Sequence, residues 1–300
     1  MDVQPLFDDL ILWPLAKRNY DALQDVAVRQ IDGVSPSVTL MFNPARVRST
    51  AAAVDVESVS RRPCFLCHAN RPPEQRFLPW RDYDVLVNPF PIFRHHLTIV
   101  STTHTPQTPQ GRMADLFALA QELPSYTVFF NGAQCGASAP DHAHFQAAAD
   151  LFARPPFFCA VLEDAGRLLE EVDGGRAIIS EGSGRLAYRI EATRPGTAEL
   201  LFERLFLLRR LRDDMLNVLA RARPGGRVVD MVVIPRRLFR PWQFFADGEE
   251  KILVSPAAVE VAGFFVLPRR EDFDKMTAAD AEDILRQVCY ASDNELLRES

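Results

Sequence analysis

The chain has 300 residues, 47% of them hydrophobic and 25% charged, with a net charge of −6. That is enough chain to bury one large core or two modest ones, in an ordinary globular composition. It carries no basic footprint for nucleic acid, no apolar run long enough to span a membrane and no signal-peptide pattern at its start, so the expectation is a cytoplasmic protein whose five cysteines are reduced.

In chain order, Leu6, Leu10, Ile11, Leu15, Leu23, Val26 and Ile31 are spaced for one helical face over residues 1–32, kinked at Pro14. VTLMF at 38–42 reads as a strand broken by Asn43-Pro44. Residues 44–63 read as a surface loop. Strands are expected at 83–87 and 97–101, joined by the turn-rich NPFPIFRH, then a helix at 112–123 and strands at 127–131 and 142–148. Pro155-Pro156 marks a hinge between halves. Beyond it the pattern predicts a helix at 160–172, a hairpin at 176–191, a long helix at 197–222 and strands near 228–234, 251–254 and 263–267. A last helix follows at 277–291. The whole is α+β with antiparallel strands predominating.

The densest chemistry lies at 131–146, NGAQCGASAPDHAHFQ. On a strand, alternate side chains share a face, so His142, His144 and Gln146 line one surface while Ala143 and Phe145 pack behind. A neutral imidazole is a good nucleophile near pH 7. Attack on an α-phosphorus would give a covalent nucleotidyl-histidine and split one displacement into two. Gln146 and Asn131 can donate amide hydrogens to phosphate oxygens. Gly132 and Gly136 let backbone approach an anion, and Ser138 offers a hydroxyl. The bland alternative is a polar, half-exposed strand face.

Cys64 and Cys67 have the spacing of a two-thiolate metal clip. With His68 the string also matches haem attachment, which needs export, and a thioredoxin-like pair would need a βαβ context that is missing. Two buried thiols are the remaining reading. Zinc would draw two more ligands from His95, His96, His104 and His142, and a closed site of two Cys and two His would staple loops rather than activate water.

The ordered motifs CFLC, VNPF, SxxH and FxNGxxxGxSxPxHxHxQ, over about residues 63–147, resemble the galactose-1-phosphate uridylyltransferase branch of the histidine-triad superfamily. That branch also holds dinucleoside polyphosphate phosphorylases and GDP-galactose phosphorylase. AGFFVLPRREDF resembles a late segment of the phosphorylases more loosely. The resemblance implies histidine-triad-like antiparallel sheets flanked by helices and pseudo-duplicated. It implies His144 as nucleophile, Gln146 as the glutamine that marks transferases and phosphorylases, Asn131 and Ser138 at phosphate, and Asn88 near the nucleoside. It further implies Cys64, Cys67, His104 and His142 as structural zinc ligands, and leaves His95 and His96 unassigned. Ala143 stands where the uridylyltransferase has proline, a form closer to the phosphorylases.

In the second half, Arg236, Arg237 and Arg240 concentrate guanidinium groups suited to phosphate, with a solvated basic turn as the alternative. The stretch 200–211 is apolar enough for a core face and a homodimer contact. Asn217, on the predicted long helix, is given little part in the site. The expected division is 1–154, a catalytic half with the zinc clip, and 155–300, a degenerate half contributing phosphate or acceptor contacts. The expected activity is a ping-pong nucleotidyltransferase or phosphorylase acting on a nucleoside diphosphate sugar or dinucleoside polyphosphate, with phosphate or a sugar phosphate as acceptor. A nucleotide-conjugate hydrolase of the same superfamily and a non-catalytic zinc-stapled nucleotide-binding protein are the alternatives.

Overall fold

The computed structural model describes residues 1–47 and 61–299, so most of the predicted loop at 44–63 lies outside the described residues. The centre is one antiparallel sheet of ten strands in the order β3-β4-β5-β7-β6-β11-β12-β10-β9-β8. Its first half comprises β3 (Phe77–Trp80), β4 (Tyr83–Val87), β5 (His96–Ser101), β6 (Thr127–Asn131) and β7 (His144–Ala148). The second comprises β8 (Arg167–Val172), β9 (Gly175–Ser180), β10 (Ala187–Ala192), β11 (Leu216–Ala222) and β12 (Val229–Pro235). A smaller sheet joins β1 (Ala27–Ile31), β2 (Val38–Phe42) and β13 (Phe264–Leu267), with β13 parallel to β2. Segments from before and after the ten-stranded sheet therefore pair in one layer. Among the described residues no helix is long and apolar enough to cross a membrane.

The middle strands of the large sheet are buried on both faces, β4, β5, β6 and β12 at every residue, while the edge strands β3 and β8 are partly exposed and β8 carries Arg167, Glu170 and Glu171. Helices Met113–Glu122 and Pro195–Leu208 cover one face. Met113, Leu116, Phe117 and Ala120 on the first and Ala198, Leu201, Phe202 and Leu205 on the second are buried, which is the stripe expected of a helix laid on a core. The small sheet and helices Pro156–Glu163, Ala258–Val261 and Ala278–Val288 cover the other face. Phe145 and Ala147 enter the first core and Ala148 the second. By alternation, His144 and Gln146 look toward the second face.

The α+β expectation and the duplication are both visible. Read inward from its edges, the sheet gives β3-β4-β5-β7-β6 and β8-β9-β10-β12-β11, the same topology twice, joined where β6 pairs with β11. With Phe130 and its partner Val218 taken as equivalent, Phe129 opposite Gln146 matches Asn217 opposite Ile234. The place of His144 then falls to Val232, which is buried and apolar. The chemistry-bearing pair exists in one half only.

Four predicted elements differ. The N-terminal helix is broken into short turns of helix and ends in β1, because Ala27–Ile31 finds β2 as a partner. The helix at 160–172 stops at Glu163, and Arg167–Val172 becomes an edge strand. Gly166 (φ 59°) makes that break: a Cβ there would meet Ile178 Cγ2 and the Ile179 oxygen at 2.5 Å. The helix at 197–222 stops at Leu208, and Leu216–Ala222 pairs on both sides, with β6 and β12. Two ladders outweigh the helical preference of a Leu/Ala-rich segment. The strand near 251–254 is irregular chain, held by Ile252 N–H on the Gln243 oxygen and Leu253 N–H on Asp272.

Candidate active site

Cys64 and Cys67 lie on a turn closed by Cys67 N–H on the Cys64 oxygen, which also accepts from Asn70 Nδ2 at 2.9 Å. Cys64 Sγ stands 3.3 Å from His142 Nδ1, and Cys67 Sγ stands 3.2 Å from His104 Nδ1 and 3.6 Å from His142 Nδ1. All four candidate ligand atoms lie within 4.8 Å of one another. Sulfur and nitrogen ligands around a tetrahedral zinc, at about 2.3 and about 2.0 Å, stand roughly 3.5 Å apart. His142 Nε2–H donates to the Ser101 oxygen at 2.8 Å, which places the lone pair on Nδ1, toward the thiols. Donor set and spacing thus fit a closed metal site. Of the histidines, His95 and His96 lie elsewhere.

His144 begins β7 and is 3% exposed. Its Nδ1–H donates to the His142 oxygen at 2.8 Å, so the lone pair sits on Nε2. Burial pushes the imidazole down to about 4, which keeps it neutral.

Gln146 is oriented by His96. Ile92 N–H donates to His96 Nδ1 at 3.2 Å, so Nε2 carries the proton and donates to Gln146 Oε1 at 2.8 Å. The glutamine oxygen being occupied, its NH2 group is the end left to point elsewhere. His96 is fully buried, and that burial, with the nearby Arg46 guanidinium, pushes it down to about 3. Asn131 is fixed by the same logic: Ala258 N–H and Asn217 Nδ2 both donate to its Oδ1 at 2.8 Å. Two amide donors are thereby oriented by bonds to their own oxygens.

Asn217 was expected on a helix. It lies on β11, opposite Asn131, and is fully buried. Its Oδ1 accepts from Arg236 Nη1 at 2.7 Å. Arg236, placed by sequence on phosphate, is 2% exposed, and its guanidinium donates to the Val288, Pro256 and Leu238 oxygens. It braces the amides rather than offering a free cationic surface. Arg237 pairs with Glu295 and Glu299. Arg240 stacks on Phe239 and Phe244 and donates to Ser255 Oγ.

The glycines have a different job from the one expected. Gly132 N–H donates to the Leu216 oxygen, and a Cβ there would lie 2.6 Å from the Asp214 oxygen. Gly136 (φ 113°) would put a Cβ 2.3 Å from Ala257 Cβ. Both let the turn after β6 press against segments of the second half of the chain. Ser138 is exposed, with its oxygen accepting from Arg62.

Asn88 opens a loop that side chains hold residue by residue. Its Oδ1 accepts from Phe90 N–H. Asn19 donates to the Pro89 oxygen, Arg46 to the Phe90 oxygen and Asn43 to the Pro91 oxygen, while His96 receives Ile92 N–H. Sequence reasoning passed over Asn19, Asn43 and Arg46 as partners, left His96 unassigned, and missed Gln107, whose amide joins β6 to β7. His96 alone carried a signal: it lies two and four residues before Thr98 and Val100, the β5 partners of Gln146 and His144.

A family model described as a domain of unknown function (DUF4922) matches residues 6–149, and one described as the GDPGP1-like C-terminal domain matches residues 219–294. The search of curated protein sequences gives no match. Yeast Ap4A phosphorylase in complex with Ap4A is 15% identical over 92% of this chain and 96% of its own, with a TM-score of 0.62. Its complex with AMP gives 14%, 92%, 94% and 0.61. The ADP-glucose phosphorylase of Arabidopsis thaliana, with bound ADP-glucose, gives 12%, 86%, 98% and 0.41. The chain has the fold of the yeast Ap4A phosphorylase along nearly its whole length.

Proposed function

We propose that the protein is a nucleotidyltransferase of the phosphorylase type, acting on a nucleoside diphosphate sugar or dinucleoside polyphosphate. The carrying observation is His144, a buried neutral imidazole with its lone pair on Nε2, flanked by amide groups of Gln146 and Asn131 whose oxygens are already engaged. Nε2 attacks the α-phosphorus; the anhydride P–O bond breaks and its electron pair leaves on the departing phosphate. Nδ1–H stays on the ring, and the His142 oxygen stabilises the charge it gains. An oxygen of the acceptor, phosphate or a sugar phosphate, then attacks phosphorus, the N–P bond breaks and the pair returns to Nε2. Gln146 and Asn131 donate to the non-bridging oxygens, and Asn88 meets the nucleoside. Arg236 acts through Asn217 and Asn131.

Zinc, held by Cys64, Cys67, His104 and His142, supplies a staple between the loops and the start of β7, and no step passes through it. The five free cysteines suit the cytoplasm. Leu200 and Leu207, on the outer face of helix Pro195–Leu208, are 41% and 73% exposed and are the residues for a homodimer contact. Residues 155–300 act as a degenerate second half.

Incubation with α-labelled nucleoside diphosphate sugars and dinucleoside polyphosphates, with and without phosphate, tests the reading. Acid-labile label on wild type and none on His144→Ala is expected. Wild type without label, or the variant labelled equally, ends it.

A further inference from the structure

The ladder between β6 and β7 runs through Thr127 opposite Ala148, Val128 opposite Ala147 and Phe129 opposite Gln146. That register continues past Phe130 and Phe145 to Asn131 and His144, the next pair on the face of Gln146. A side chain stands between them instead. Gln107 Nε2 donates to the Asn131 oxygen and to the His144 oxygen, each at 2.9 Å, and Gln107 Oε1 accepts from His144 N–H at 2.7 Å. The residue is 1% exposed. Its carboxamide replaces a peptide unit of the ladder and wedges the two strands apart at the residues that bear the nucleophile and an oriented amide donor.

We infer that Gln107 is a positioning residue. It sets the gap between Asn131 and His144 and fixes the backbone from which His144 Nε2 is aimed. The inference rests on the nucleotidyl-transfer reading and adds a residue to it that does not touch the substrate. Adjacent strands stand about 4.8 Å apart, too close for a phosphoryl group to seat between their facing side chains; an inserted amide widens that spacing at one point only. Thr105, two residues before, binds the same strand, its oxygen accepting from Ala143 N–H at 2.7 Å. The loop therefore holds the nucleophile's backbone at successive residues.

Gln107→Met keeps the length and removes the amide. Gln107→Glu keeps an acceptor for His144 N–H and turns an oxygen toward both carbonyls. Nucleotide Kd is expected to stay within about three-fold in each. Single-turnover formation of the labelled histidine is expected to slow about a hundred-fold, the cost of a misplacement near 1 Å. A folded variant that labels at the wild-type rate, or one whose Kd worsens by the same factor as its labelling, overturns the inference. Hydrogen exchange of wild type needs no variant: His144 N–H is expected to exchange as slowly as amides in the middle of β7, and fast exchange overturns the inference too. If wild type itself takes no label, the reading of function fails instead, and the exchange result still judges the wedge.

Discussion

His96→Leu separates the orientation of Gln146 from its presence. The substitution leaves Ile92 N–H buried without its acceptor and frees Gln146 Oε1 from the bond at 2.8 Å. Orphaning these groups costs about 3 kcal/mol of stability, most of it from Ile92, since Gln146 reaches solvent. The catalytic cost is larger in proportion. An amide free to turn presents its oxygen to phosphate as readily as its hydrogens, and loss of one aimed donor slows such chemistry by about 10²–10³-fold. Urea denaturation gives the first quantity and single-turnover labelling of His144 the second. Acid adds a third measurement. Burial holds His96 near 3 against an ordinary 6.5, so the unfolded chain takes up the proton first. The neutral ring's contribution is whole above pH 6.5 and is lost as pH falls toward 3, up to about 5 kcal/mol. Stability of His96→Leu should therefore fall less steeply below pH 6.5 than that of wild type. Labelling within about three-fold of wild type by a folded variant would refute the oriented-amide argument.

Glu260 is buried, and desolvation raises its carboxyl to about 7. The folded chain keeps that proton while the unfolded one loses it, so stability falls between pH 4.5 and 7; Glu260→Gln should gain on wild type by about 3 kcal/mol between pH 5 and 8, and a difference independent of pH would contradict this. Zinc should copurify at about one per chain and be lost in Cys64→Ser, with a lower Tm and a smaller effect on nucleotide Kd; unchanged zinc content would reject the clip. Asn217→Ala takes a buried acceptor from Arg236 and a donor from Asn131. It should cost about 2–4 kcal/mol in urea denaturation, and a loss under about 0.5 would mean that the buried arginine finds its partners elsewhere.

What was legible in the chain is what is written locally. The alternation in HFQ sets a strand face, though the strand begins at His144 and His142, expected on it, lies in the turn before, and CxxC sets two thiols on one turn. The third and fourth members of the cluster needed the family pattern, because 37 residues separate Cys67 from His104 and 78 separate Cys64 from His142. Asn217 was hidden because LNVLARA has no helical or extended period strong enough to decide. Its state is set by β6 and β12, one of them some eighty residues away. Arg236 looked like a phosphate ligand because sequence shows a guanidinium and not the four oxygens around it. The two glycines were read as room for an anion, whereas they make room for the second half's backbone.

The clamped loop from Asn88 to Ile92 has a consequence for substrate choice. Pro89 and Pro91 have no N–H to donate, and side chains from three separate stretches hold the neighbouring carbonyls and the Ile92 amide. A surface fixed in this way pays little ordering entropy when a ligand arrives. It also cannot reshape itself to suit a different one. If Asn88 meets the nucleoside as proposed, preference among nucleosides is a property settled during folding, and Asn19, Asn43 and Arg46, from the first two stretches, are the positions through which a changed preference would have to be introduced.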